Sequence, residues 1–213
     1  KVYNKLGNFN LTIETLSPII SRSPSNIQAR ETLAEAFYKM GKFDHSISEY
    51  RRILEQNSKY LPAYIQLGWV YYRKGEFQMA TAWTKRGLKL GSHVSQLNSL
   101  AIINLGLYAW LNDDYAAAKK WYRKALEERS EIILKEILKD LKDTTLLFPD
   151  HIEAAFFSGW ALMEAGKKKM ASQHLTHFLT LAAKSELSKE ARAMLAQKLP
   201  PANEKTTNSN YYP

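Results

Sequence analysis

The stretch LGWVYYRKGEFQMATAWTKRGL, residues 67–88, decides how the rest of this chain is read. Leu67 and Tyr71 are four residues apart and share one helical face. Gly68 beside them leaves room for another backbone to come close. Gly75 breaks the helix, since glycine tolerates a positive φ without penalty. A second apolar stripe follows at Phe77, Ala80 and Leu88. The stretch predicts two helices joined by a tight turn and packed through Gly68 and Ala80. Much of the apolar surface of such a hairpin has no cover within the hairpin, so it needs a neighbour of its own kind.

That neighbour lies thirty-four residues earlier, as LAEAFYKMGKFDHSISEYRRIL. Leu33 matches Leu67, Ala34 matches Gly68, Phe37 matches Tyr71, and Gly41 matches Gly75. Phe43, Ser46 and Leu54 match Phe77, Ala80 and Leu88. One more period back, Tyr3, Gly7, Phe9, Thr12 and Ile20 take the same positions. Helix pairs repeating at this period are the signature of a solenoid. The pattern resembles the tetratricopeptide repeat family: a large apolar residue, Leu-Gly, an aromatic, a turn Gly, a second aromatic, Ala and a closing Pro. The resemblance implies an all-α fold, an α-solenoid in which antiparallel helix hairpins form a right-handed superhelix, with a C-terminal capping helix.

With 213 residues and 45% hydrophobic content, the chain is long and apolar enough for a continuous core. No run of apolar residues is long enough for a membrane span. With no cysteine there is no disulfide framework, thiol chemistry or cysteine metal site, but the compartment stays open between cytoplasm and a bacterial envelope. Residue 1 is Lys and the chain opens inside a repeat, which reads as a piece of a longer protein. The formal charge is +9, with the basic residues spaced along helices, as on a solvated helix face. The sharper reading of that charge is attraction to an acidic partner or surface. No local motif singles out nucleic acid, which is not expected as a partner, and any membrane contact is expected to be indirect.

In order, residues 1–26 form a partial repeat, with Pro18 expected to shorten or kink its helix. Residues 27–60 and 61–94 are regular repeats, with Ser58 and Ser92 where the family closes on Pro. The repeat at 99–132 is displaced by four residues, 95–98, which are expected to add one turn to its first helix. Its turn residue is Asp113, followed by Tyr115, Ala118 and Tyr122. Residues 133–151 are a helical insertion. The second helix is expected to run on to about Asp143, with a separate helix after Ser130 as the alternative, and residues 144–150 as the loop. Residues 152–185 are a degenerate repeat, with Ser158 and Lys168 departing from the pattern. Ser185 is expected to cap a final helix over 186–199. Residues 200–213 are a polar tail whose Tyr211 and Tyr212 suggest self-association.

The resemblance implies that the first helix of each hairpin lines a concave wall that holds extended or helical peptides. By register the wall residues are Gln28, Glu31, Glu35, Tyr38 and Lys39, then Ile65, Trp69, Tyr72 and Arg73. Next come Ile103, Leu107, Trp110 and Leu111, then Glu153, Phe156, Trp160 and Met163. The candidate partner-binding groove is Tyr38, Trp69, Tyr72, Arg73, Trp110, Phe156 and Trp160, an aromatic wall of the kind that anchors partners. The alternative is that shallow curvature or the inserted helix buries these rings as ordinary packing. One subgroup of the family grips a carboxylate-ended chaperone tail with Lys, Asn and Arg. Here those positions hold Glu31, Glu35, Gln66, Trp69, Leu100 and Asn104, so that activity is not expected.

Trp83 and Trp121 fall on equivalent positions of second helices and read as core-edge packing. Lys167, Lys168 and Lys169 read as a solvated turn. His174 and His177 lack a third ligand nearby, so no metal is expected. No catalytic motif and no cofactor site is present in the sequence. The sequence therefore points to a non-catalytic scaffold that binds a protein or peptide partner in an aromatic groove. The alternatives are a regulatory or targeting domain of a larger enzyme or assembly, and a basic outer face that binds an acidic partner or surface.

Overall fold

The computed structural model describes residues 8–91 and 95–197, and every regular element among them is an α-helix. In order these are α1 (Phe9–Arg22), α2 (Ile27–Lys39), α3 (Phe43–Gln56), α4 (Leu61–Arg73), α5 (Phe77–Leu90) and α6 (Ser95–Leu111). Then follow α7 (Tyr115–Leu126), α8 (Glu131–Leu147), α9 (Ala154–Glu164), α10 (Lys168–Leu181) and α11 (Glu186–Ala196). Tyr3, Gly7, Ser92 and the tail with Tyr211 and Tyr212 lie outside the described residues. The chain divides into two compact units, Lys1–Asp140 and Leu141–Pro213, and α8 carries it from one into the other. The result is an α-solenoid architecture built from helix hairpins.

Four hairpin turns are made the same way. Gly41, Gly75, Asp113 and Gly166 have φ of 72°, 78°, 59° and 74°. At each, the N–H of the next residue reaches back five positions and the turn residue's own N–H reaches back three. Lys42 N donates to Phe37 O at 2.9 Å and Gly41 N to Tyr38 O at 3.0 Å. Glu76 and Gly75, Asp114 and Asp113, and Lys167 and Gly166 repeat both bonds at 2.8–2.9 Å. This pairing satisfies the last helical carbonyls and fixes where the second helix starts.

In the first unit the hairpins α2/α3, α4/α5 and α6/α7 cross where one backbone lacks a large side chain. A Cβ on Gly68 would overlap Thr84 Oγ1, and one on Gly106 would stand 2.6 Å from the Tyr122 ring. In α2/α3, Ala34 and Ser46 hold these positions, both buried, and the Ser46 hydroxyl donates to Ala34 O at 2.8 Å. Neighbouring hairpins share a core. Ile20, Ala29 and Leu33 join α1 to α2, and Leu61, Ile65 and Ala101 join α4 to α6. The ion pair Arg30–Glu49, at 2.6 Å, is buried between α2 and α3. Arg30 Nε and Gln56 Nε2 both donate to Pro24 O, at 2.9 and 2.7 Å, tying down the α1–α2 loop.

In the second unit, α9 packs on α10 through Gly159, where a Cβ would stand 2.6 Å from Leu175. Phe156 meets Phe157 edge-on at 5.3 Å and Phe178 at 5.5 Å. The Ser185 side chain caps α11, accepting from Ser188 N at 3.2 Å, and Leu187 and Ala191 are its buried face.

Several sequence expectations meet the structure differently. Pro18 neither shortens nor ends α1, which runs on to Arg22. Its missing N–H deprives the Glu14 carbonyl of a partner, but both residues face solvent, where water serves instead. α6 has 17 residues where α2 and α4 have 13 each, so the four extra residues form one added turn. The continuous helix expected through Ser130 is interrupted: α7 ends at Leu126, Arg129 has φ 49°, and α8 starts at Glu131. No Gly or Pro marks that break. α8 then takes in Thr144, which was expected in a loop and is fully buried. Lys168 and Lys169 open α10 instead of lying in the turn.

Candidate partner-binding face

α2, α3 and α4 line an open cavity of ≈ 390 Å³ in the first unit. Its lining from α2 is Gln28, Glu31, Thr32, Glu35, Tyr38 and Lys39, which is the register-derived wall of that helix plus Thr32. α4 adds Gln66 and Trp69. Tyr50 reaches in from α3, and the register argument missed it because second-helix residues are assigned to the outer layer. Its side chain is large enough to pass between α2 and α4, which is the one signal in its favour.

One aromatic line runs from this cavity into the core. The Trp69 indole N–H donates to the Tyr38 hydroxyl at 2.9 Å. Arg73 Nη1 donates to the same hydroxyl at 3.2 Å, and its guanidinium lies 5.7 Å from the Tyr38 ring centre. Trp69 meets Tyr72 at 4.8 Å, and Tyr72 stacks on Tyr108 of α6 at 5.7 Å. Exposure falls along this line: Tyr38 and Trp69 are half-buried, Tyr72 is 1% exposed and Tyr108 is 0% exposed. The line gives the two outer rings a rigid backing.

Of the seven expected groove residues, Tyr38, Trp69 and Arg73 stand together at the surface. Tyr72, Trp110, Phe156 and Trp160 do not; Trp110 and Phe156 are 0% and Trp160 is 3% exposed. A side chain with no accessible surface offers a partner nothing to touch, so these four serve as helix packing. Phe156 and Trp160 moreover belong to the second unit. Of the further register-derived residues, Ile65, Ile103, Leu107 and Leu111 are buried as well.

The electrostatics of the cavity are local. Burial, then the Glu31 and Glu35 carboxylates, hold the Tyr50 phenol well above its usual range. Burial and then the Glu31 carboxylate push Tyr60 up to about 12. Both phenols therefore stay protonated as donors. On the outer layer several of the cations have partners. Arg51 and Arg86 flank the Trp83 ring at 5.7 and 5.0 Å, and Arg51 Nη2 donates to Tyr71 Oη at 2.8 Å. Lys124 lies 5.8 Å from the Trp121 ring centre. Lys74 bridges Asp44 and Glu76, at 2.8 Å each. Among the described residues no three His, Asp or Glu are placed to share a metal ion, and no helix is long and apolar enough to cross a membrane.

The family model of the tetratricopeptide repeat matches residues 101–131, the segment that holds Gly106, the Asp113 turn and Tyr122. The chain folds as a tetratricopeptide-repeat array. A crystal structure of MamA is similar to it at TM-score 0.56 and 17% identity, over 90% of this chain and 95% of that one. PilF of Pseudomonas aeruginosa matches at TM-score 0.56 and 17% identity, over 90% and 92%. YrrB, described as a tetratricopeptide-repeat protein with an unusual peptide-binding site, matches at TM-score 0.50 and 18% identity, over 85% and 99%. At these identities the likeness is one of fold. No curated protein matches the sequence.

Proposed function

We propose that this chain is a non-catalytic interaction scaffold that holds a partner peptide against the α2–α4 face, with Tyr38, Trp69 and Arg73 as its anchors. The carrying observation is the cavity of ≈ 390 Å³ into which half-buried Tyr38 and Trp69 project from a rigid aromatic backing. Tetratricopeptide-repeat chains are in general non-catalytic interaction modules, and YrrB carries a peptide-binding site on the same fold. Aromatic anchors on a fixed support lose little freedom on binding, which makes them efficient contact points. Tyr72, Trp110, Phe156 and Trp160 enter this reading only as support from within the helix layers.

The test is recovery of partners by the whole chain and by its Trp69→Ala/Arg73→Ala variant, at low and high salt. A partner kept at high salt and lost by the variant is the expected result. A partner released by salt and indifferent to the variant moves the site to the basic outer surface and ends this reading.

A further inference from the structure

The chain carries +9, yet the cavity proposed to hold its partner is lined by carboxylates. Glu31 and Glu35 sit four apart on α2 and both line it, with Gln28, Thr32 and Gln66 as neutral polar neighbours. Glu31 accepts from Gln28 Nε2 at 3.4 Å and from the Tyr60 hydroxyl, and a carboxylate has lone pairs for further donors. Lys39 is the one cation in the lining, and its ammonium is spent over the Tyr38 ring, 5.6 Å from the centre. A second, independent feature points inward. Tyr50 is only 4% exposed and lines the cavity, and among the described residues its hydroxyl makes no hydrogen bond. The carboxylates of Glu31 and Glu35 are the charges acting on that phenol. The third component is the π surface of Trp69, whose indole is held in place by Tyr38.

Resting on the reading of this face as a peptide site, we infer that the cavity takes a basic side chain, arginine or lysine, of the partner peptide. A guanidinium or ammonium there meets carboxylate acceptors on one side and an aromatic face on the other. Those are the two surroundings that stabilise a cation as it leaves water. The chain's overall positive charge does not oppose this, because exposed charges farther than about 8 Å are screened at physiological salt.

The experiment selects random peptides from a phage-displayed library on the immobilised full chain, then measures synthetic versions of the winners. Selected peptides are expected to be enriched in Lys or Arg. Replacing that residue by norleucine or citrulline lowers affinity about tenfold, and Glu31→Gln on the chain does the same. Glu31→Lys/Glu35→Lys is expected to turn the preference towards Asp and Glu, a gain that a misfolded variant cannot mimic. Peptides that need Trp69 but tolerate loss of their basic residue overturn the inference and leave the groove reading standing. Failure to obtain any peptide whose binding depends on Trp69 overturns the groove reading and this inference with it.

Discussion

The indole N–H of Trp69 donates to the hydroxyl of Tyr38 at 2.9 Å, joining the first helices of two consecutive hairpins across 31 residues of sequence. The same hydroxyl accepts from Arg73 at 3.2 Å, so one oxygen orients both other anchors of the face. Tyr38→Phe keeps the ring and removes the acceptor. It is expected to cost about 0.5–1.5 kcal/mol in urea unfolding. Partner affinity should fall as well, because Trp69 and Arg73 lose their common support. Unchanged unfolding and unchanged affinity would show that these bonds do not organise the face.

The buried Arg30–Glu49 pair is a second relationship between α2 and α3. Glu49 also accepts from exposed Arg52 at 2.5 Å. Removing the carboxylate leaves a guanidinium inside the protein whose remaining protein partner is Pro24 O. Glu49→Ala is therefore expected to destabilise by about 3 kcal/mol. Replacing both partners with apolar residues, Arg30→Met/Glu49→Leu, should recover most of that loss, because no buried charge is then stranded. Chemical denaturation of the three proteins measures it, and a double variant no better than Glu49→Ala would locate the cost elsewhere.

Much of this fold was legible in the repeat. The turn positions Gly41, Gly75, Asp113 and Gly166 share one register in sequence and one left-handed geometry in structure, because few residues accept that φ. The break between α7 and α8 was left open in the sequence, where a separate helix after Ser130 was the alternative that the structure adopts. It turns at Arg129, a residue type with no preference for φ 49°, so tertiary context decided it. On the face, register placed all of Gln28, Glu31, Glu35, Tyr38 and Lys39 at the cavity, since position on a helix fixes direction. It could not tell a lining residue from a buried one. Trp69 and Trp110 hold the same side of successive first helices, yet one is half-buried and the other 0% exposed. Depth depends on what lies beyond the helix, which periodicity does not encode. Register put Glu31 and Glu35 on the wall, but only the cavity brings Tyr50 to them.

The approach of α4 to α5 depends on Gly68. A Cβ there would overlap Thr84 Oγ1 and stand 3.2 Å from the Ala80 carbonyl oxygen. Backbone cannot yield as a side chain can, so the hydroxyl is the atom whose removal makes room. Gly68→Ala is expected to destabilise by about 1–3 kcal/mol despite its better helix propensity. In a Thr84→Ala background the same substitution should cost less, since the Thr84 side-chain oxygen is gone. A double-mutant cycle by thermal or urea unfolding reads the coupling, expected at about 1 kcal/mol or more. Simple additivity would mean that the helices separate to admit the methyl group.

His174 is expected to make the second unit sensitive to mild acid. Burial, then the neighbouring His177, lowers its pKa from the usual imidazole range. The unfolded chain, with an ordinary histidine near pH 6.5, then binds more protons than the folded chain just below that pH. Stability from this residue is fully present above about pH 6.5 and is lost as pH falls through the lower, folded-state value. His174→Gln removes the titration and keeps a polar side chain of similar reach. Thermal unfolding between about pH 7.5 and 5 should show a shallower decline for the variant than for the parent chain. Carboxylates titrate alike in both proteins, so the difference between the two curves isolates the imidazole. Parallel curves would mean that His174 is as well solvated in the folded chain as in the unfolded one. A steeper decline in the variant would reverse the sign and point to a partner that favours the charged ring.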